Sequence, residues 1–374
     1  MVDIRRSLRL LAGAFAAIAI AGIAVAWTIG EVGDRRALTD KERQEVASIT
    51  ANMKPICVGR FVIDLPADAE TELTMANIDG LSIVTGLESL TDFQKRLAAR
   101  EAEIRAIPDQ SGGDRNLESV IAVSTASGLS GKILVHSRVL SEGTQANGLE
   151  IERYRYEGVA VDALVHGNGV SIDLAADNYE PERANKLAQL ITRLVPNPDN
   201  RIPPASGFCV DNAYFDGLLS PDQGERIMMR ARLASHPDIE FTLMLAAATA
   251  PDAKGLLDRT AESQAQLTLA ETARLTTLRA GRRAISGLVG EEVAERIVEN
   301  DTLVLHNFWW EVNGTADDLL NPYVSFTMAT GASTQKPVPA SLSEPVTISL
   351  WDWISSSIRL LPSENRPGSR RTES

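Results

Sequence analysis

Four prolines fall within the eleven residues Pro196–Ser206 (PNPDNRIPPAS), and this stretch restricts the possible folds more than any other feature of the chain. Proline lacks the N–H that helices and sheet ladders require, so neither element runs through here. Such a composition marks a domain boundary. A chain of 374 residues is long enough for two domains, each with its own core.

The elements follow the same order on both sides. In the first half Cys57-Val-Gly-Arg-Phe-Val-Ile-Asp-Leu-Pro66 places Val58, Phe61, Ile63 and Leu65 in near alternation, which predicts an opening strand stopped by proline. Phe93, Leu97, Ile104 and Ile107 recur at helical spacing, which predicts a helix over Phe93–Ile107 capped by Thr91 or Asp92. The runs Ser119–Thr125, Lys132–Leu140, Glu150–Glu157, Val159–His166 and Val170–Leu174 read as an antiparallel meander. Leu187, Leu190, Ile191 and Leu194 predict a second helix over Pro181–Leu194.

Beyond the prolines come a cysteine-led strand (Cys209–Gly217), a strand at Ile239–Ala247, a helix at Ala253–Glu271, further strands and a closing helix at Val346–Leu361. The closing helices end alike, in Thr192-Arg193-Leu194-Val195-Pro196 and Ile358-Arg359-Leu360-Leu361-Pro362, and point to an internal duplication. The expected fold class is α+β: two similar lobes, each an antiparallel sheet with packed helices, behind an N-terminal signal or transmembrane helix. Residues 1–30 are the signal anchor or signal peptide, 31–53 a spacer, 54–205 and 206–363 the two lobes, and 364–374 a polar tail expected to be disordered.

Leu10 to Ile29 carry no charge for twenty residues, enough helix to span the roughly 30 Å hydrocarbon layer of a membrane. Arg5, Arg6 and Arg9 precede this run and hold that flank in the cytoplasm, so the body is delivered to the far side. Ala24-Val25-Ala26 fits a signal-peptidase cut, yet the run is longer than most cleaved signals. An uncleaved inner-membrane anchor and a soluble periplasmic product both remain open, the anchor being preferred. The net charge is -13, and the +2 balance of residues 1–29 leaves -15 for the rest. Such a body repels nucleic acid and anionic lipid and is drawn to basic partners. Cys57 and Cys209 would share an oxidising compartment, where a disulfide and a pair of buried free thiols are both compatible with the sequence.

No reaction centre is legible. Gly128-Leu-Ser130-Gly131 and Gly169-Val-Ser171 do not complete Gly-x-Ser-x-Gly, whose glycines permit the strained turn that exposes a serine nucleophile. His136, His166, His236 and His306 lie at least thirty residues apart and form none of the close pairs that set two metal ligands on one helical face. The first two read as sheet residues, His306 as lying near a strand and His236 as a turn residue. Gly167-Asn-Gly169 lacks the rest of a phosphate loop, and Glu291-Glu292 and Asp317-Asp318 read as solvated doublets. No cofactor or metal is expected. Trp309 and Trp310 are adjacent in a strand-like run, so one faces the core and the other is a candidate partner contact. Trp351, Ile354 and Ile358 look like the core face of a helix.

Four segments resemble a known family, the bacterial immunity proteins that neutralise phospholipase effectors of the type VI secretion system. Cys57-Val-Gly59-Arg60-Phe-Val-Ile-Asp64-Leu-Pro66 is similar to the family's opening motif, and Gly207-Phe208-Cys209-Val-Asp-Asn to the start of its C-terminal domain. Phe308-Trp-Trp310-Glu311-Val-Asn-Gly314 and Leu350-Trp351-Asp352-x-Ile-Ser-x-Ser-Ile-Arg359 are similar to later signatures. These are structural positions, so no catalytic residue carries over. The resemblance implies a non-enzymatic, periplasmic, two-domain α+β protein whose partner is a cognate lipase effector, its lobes gripping the lipase and keeping substrate from the catalytic serine. The competing expectations are an envelope enzyme with an unrecognised site and a lipid-binding module.

Overall fold

The structure is a computed structural model that describes residues 37–109, 115–148, 150–220, 223–248, 250–300, 303–333 and 336–361. The expected membrane-crossing segment and polar tail lie outside these residues, among which no helix is long and apolar enough to cross a membrane. The first half opens with α1 (Asp40–Ile49) and a hairpin of β1 (Met53–Val58) and β2 (Phe61–Pro66). Strands β3 (Ala69–Ile78) and β4 (Leu81–Leu87), helix α2 (Leu90–Ala106) and strands β5 (Leu117–Ser124), β6 (Ser130–Asn147), β7 (Glu150–Gly167) and β8 (Val170–Tyr179) follow. Short helices α3 (Pro181–Ala184) and α4 (Leu187–Ile191) lead into β9 (Leu194–Pro196).

The second half repeats this order. A hairpin of β10 (Gly207–Val210) and β11 (Ala213–Asp216) precedes β12 (Glu225–Leu233) and β13 (Glu240–Ala247). Helices α5 (Leu256–Gln264) and α6 (Leu269–Thr272) are followed by β14 (Leu275–Ile285), β15 (Leu288–Asn300), β16 (Leu303–Val312) and β17 (Tyr323–Ala329). Helix α7 (Glu344–Ser356) and β18 (Arg359–Leu360) close the chain.

The antiparallel α+β character is as expected, but the lobes do not hold separate sheets. One twelve-stranded sheet runs β14-β15-β16-β17-β13-β12-β3-β4-β8-β7-β6-β5. Its halves join where β12 pairs antiparallel with β3, from Glu225 opposite Ile78 to Leu233 opposite Ala69. Outward from that pair both wings have the same strand order, which is the signature of a duplicated unit turned about a pseudo-twofold axis. Ile227, Met229, Ala231 and Leu233 alternate on β12, and with Phe241, Leu243 and Leu245 of β13 they turn to the face that holds the main core. Helix α7, α4 and the two hairpins cover that face, whereas α2 and α5 lie on the opposite one.

The two hairpins exchange their third strands. Strand β9, from the end of the first half, pairs with β11, and β18, from the end of the second, pairs with β2. This exchange explains two corrected helices. The stretch Pro181–Leu194 is two short helices rather than one, and Val346–Leu361 stops being helical after Ser356, because each must deliver an extended segment to the other half's hairpin. The opening strand is a hairpin as well. Gly59 takes φ +53°, and a Cβ there would lie 3.0 Å from Ile227 Cγ2 and 3.1 Å from Phe208 Cε2, so only glycine both turns and fits.

Local chemistry sets other boundaries. The cap of α2 is Ser89, whose hydroxyl accepts the Asp92 N–H, in place of Thr91 or Asp92. The expected helix Ala253–Glu271 breaks because Thr268 and Glu271 form a capping box that begins α6 afresh. Within the expected spacer, Thr39 and Glu42 cap α1, which buries Val46 beside α7. Strands β6 and β7 are longer than the pattern predicts and run past the sheet as a two-stranded ribbon, from Val139 opposite Gly158 to Asn147 opposite Glu150.

Trp351 is fully buried, stacks on Phe326 at 5.0 Å and Phe308 at 5.4 Å, and donates Nε1–H to Glu292 at 2.6 Å. Trp351→Phe keeps the stack and removes a donor to a charged acceptor, so about 2 kcal/mol of unfolding free energy is lost, measured by urea denaturation at neutral pH. A change below about 0.5 kcal/mol shows that the carboxylate does not depend on the indole.

Candidate functional site

The residues singled out in the first two motifs come together at the seam between the halves. Cys57 and Cys209 form a disulfide with Cα atoms 5.8 Å apart, which settles the question the sequence leaves open. Beside it Gly59 and Cys209 exchange backbone hydrogen bonds of 3.0 and 2.8 Å. Arg60 is buried and donates Nε–H to Glu225 at 2.6 Å, a second guanidinium nitrogen contacting the other oxygen, while Nη1 reaches the carbonyls of Gly207 and Gly217 at 3.4 Å. Phe208 is buried under the same hairpin, and Gly207 pairs with Asp216. Asp64 meets Arg359 in a bidentate pair of 2.9 and 3.0 Å, tying the first motif to the last, and Pro66 ends β2 opposite Met53.

The third and fourth motifs meet in the core of the second wing. Trp310 is fully buried and donates to the Arg283 carbonyl at 3.0 Å. Asp352 takes a bidentate Arg279 at 2.6 and 2.8 Å. Glu311 accepts Arg259 at 2.7 Å on both oxygens and the Tyr323 hydroxyl at 2.9 Å, and burial together with that carboxylate pushes the Tyr323 phenol up to about 12. Gly314 takes φ +74° where a Cβ would lie 2.5 Å from the Tyr323 nitrogen. These contacts join strands and helices; they place no nucleophile beside a base.

The doublet Glu291-Glu292 is a strand pair of β15 rather than a solvated loop. Glu292 points into the core to Trp351 and Arg283, and Glu291 accepts the Leu257 N–H at 2.9 Å on the other face. Asp318 lies in a loop and accepts the Leu320 N–H at 2.9 Å. Among the described residues no group of three or more His, Cys, Asp or Glu is placed to hold a metal ion.

One arrangement escapes the sequence. His136 Nδ1 lies 2.9 Å from Ser137 Oγ and its Nε2 lies 3.2 Å from Asp162, and Ser137 has a left-handed φ of +48°. A spacing rule built on Gly-x-Ser-x-Gly passes over it because serine and histidine are adjacent. The contacts are those of a structural knot. Ser137 donates to Asn116 Oδ1 at 3.1 Å, and Arg100 Nε holds the same Asp162 oxygen at 2.8 Å. His166 donates to the Glu88 carbonyl at 2.8 Å and stacks on Phe93, and His236 contacts Ser341 in a bend. His306 meets Glu344 at 3.2 Å, and burial holds its pKa below the usual histidine range.

Trp309 behaves differently from Trp310. It points to the opposite face of β16 and floors a cavity of ≈ 570 Å³ between the sheet and α5 and α6. Apolar walls come from Leu267 and Ile297, and the rim carries Glu271, Arg274 and Glu299. Leu269 on α6 is 91% exposed close by. An aromatic floor under a partly charged rim is the composition of a recognition pocket.

Comparisons with known proteins identify the family and the fold. Residues 54–180 match the family model of the Tle cognate immunity protein 4 N-terminal domain, and residues 201–363 match that of its C-terminal domain. No curated protein gives a match. Among solved structures, a chain of the Tle4–Tli4 complex superposes with a TM-score of 0.68 at 24% identity, covering 84% of this chain and 99% of that one. The immunity protein TplEi of the Pseudomonas aeruginosa T6SS, complexed with "L" peptide, gives 0.66 at 23% identity, with coverages of 83% and 99%. Its apo structure gives 0.66 at 24%, with coverages of 83% and 98%. At these identities the likeness is one of fold.

Proposed function

The chain belongs to the family of Tle cognate immunity protein 4, both of whose domains it carries in order, and from that premise we propose that it binds a cognate phospholipase effector of the type VI secretion system in the periplasm and covers that enzyme's active site. The successive match of both domains along one continuous sheet carries this reading. The Tle4–Tli4 complex, which contains a chain of the same fold, supports a protein as the ligand.

The apolar run behind Arg5, Arg6 and Arg9 supports export. So does the Cys57–Cys209 bridge, a bond that persists where thiols stay oxidised. Occlusion is supported by the build of the molecule. Two wings on one sheet, locked by the bridge and the exchanged strands, present a broad preformed surface. The charge of -15 on residues 30–374 steers that surface towards a partner face that is basic. The division into domains 54–205 and 206–363, retention by an N-terminal anchor, and an inhibitory rather than catalytic role belong to the same reading.

The test is to direct the phospholipase effector of the same genome to the periplasm, with and without this chain. Cells survive only with it, and the purified chain at a 1:1 ratio stops hydrolysis of both phospholipid vesicles and a short water-soluble ester. Lysis despite co-expression refutes immunity, whereas continued turnover of the soluble ester by the complex refutes occlusion. The association rate falls as salt is raised; a rate indifferent to salt removes electrostatic steering.

A further inference from the structure

The duplicated wings differ in how a helix meets the outer face of the sheet. In the first wing α2 spans seventeen residues and buries Phe93, Leu97 and Ile104 against Leu117, Leu134 and Leu164 of the sheet. In the second, α5 has nine residues and buries Leu256 alone. The helix is tied to the sheet through polar contacts, Arg259 with Glu311 and Gln264 with Glu295, and the cavity over Trp309 opens beside them. The space is open to solvent, with Ser263, Glu271, Arg274 and Glu299 exposed around it and Ile297 and Trp309 half-buried within, so it is accessible to a partner's side chain.

The chemistry of the gap selects its occupant. Of the two arginines on its wall, Arg259 is already bound to both oxygens of Glu311, which leaves Arg274 against the carboxylates of Glu271, Glu295 and Glu299. Glu295 is 8% exposed and has one oxygen taken by Gln264 at 2.7 Å. The cavity is therefore acidic above an indole face and between aliphatic walls. A long cationic side chain suits it, its stem lying on Leu267 and Ile297, its charge set over the Trp309 ring or against Glu295 and Glu299.

Resting on the function proposed above, we propose that this cavity is a docking pocket for an arginine or lysine carried on a loop of the effector. The charge of the body and of the pocket have the same sign, so long-range attraction and local capture act in one direction.

Two variants of the full-length chain in detergent test this against the effector with its catalytic serine replaced, by calorimetry. Glu299→Arg reverses a charge on the exposed rim, and Ser263→Trp fills the space from an exposed position on α5. Both are expected to weaken binding at least tenfold while melting within about 2 °C of the parent. Parent binding with both variants equal to it overturns the pocket and leaves the functional reading standing. Loss with Ser263→Trp alone overturns the cationic occupant in favour of an apolar one. A parent that does not bind the effector at all overturns the functional reading, and the pocket with it.

Discussion

Replacing Cys57 and Cys209 with alanine lowers the melting temperature by about 10 °C. The bridge closes a loop of 152 residues, and the chain entropy removed from the unfolded state by a loop of that length corresponds to about 5 kcal/mol. For a fold of this size each kcal/mol shifts the midpoint by roughly 2–4 °C. The native structure survives the change, because Gly59 and Cys209 still exchange two backbone hydrogen bonds and the hairpins keep their exchanged third strands. Scanning calorimetry of the parent and the double variant measures the shift, and thiol titration of the unfolded parent finds no free sulfhydryl until reductant is added. A shift under about 2 °C, or two free thiols in the untreated parent, rules out a stabilising bridge.

Much of the local structure was legible because it rests on local pattern. The face Phe93, Leu97 and Ile104 marks α2, and the adjacent Trp309 and Trp310 divide between cavity and core as strand alternation requires. What escaped is set by distant parts of the chain. Leu194 fits the apolar spacing of a helix, yet it is buried as a strand residue opposite Phe215. Arg359 and Leu360 continue an apolar helix in the sequence but pair with Val62 and Phe61, almost three hundred residues away. Strand β3 was missed because its alternation fails around Met75, which takes a left-handed φ of +54° beside a register shift against β12. Strand β12 did carry a signal in Ile227, Met229, Ala231 and Leu233, interrupted by arginines that reach the other face.

The candidate site was half visible for the same reason. Trp309 stands out by type and position, but the cavity over it is formed with α5 and α6 from residues that only the packing brings together. The motif residues were recognisable as fold-specifying, while their partners lie far off in sequence, as Glu225 does from Arg60 and Arg279 from Asp352. The pseudo-twofold arrangement places the opening hairpin of one half against strands of the other, so the two cysteine-bearing motifs and Arg359 act across the seam, while Trp310, Glu311 and Asp352 act within the second wing.

Arg60→Met shows what that seam carries. Both Arg60 and Glu225 are 4% exposed, and removing the arginine strands a carboxylate in the interior, which costs about 3–5 kcal/mol near neutral pH. Burial already pushes the Glu225 carboxyl up, against the pull of Arg60, and without the arginine it rises further. A carboxyl whose folded pKa lies above its unfolded value destabilises the fold progressively as pH rises through that interval, and not at all below it, where both states are protonated. The deficit of Arg60→Met is therefore small near the ordinary glutamate pKa and full at pH 8. Adding Glu225→Leu restores most of the lost stability at the higher pH, since no charge remains to be solvated. Urea denaturation of the parent, the single variant and the double variant at both ends of this range measures all three. A deficit that stays constant with pH, or a double variant no better than the single one, means that Arg60 stabilises through packing and its carbonyl contacts, not by neutralising Glu225.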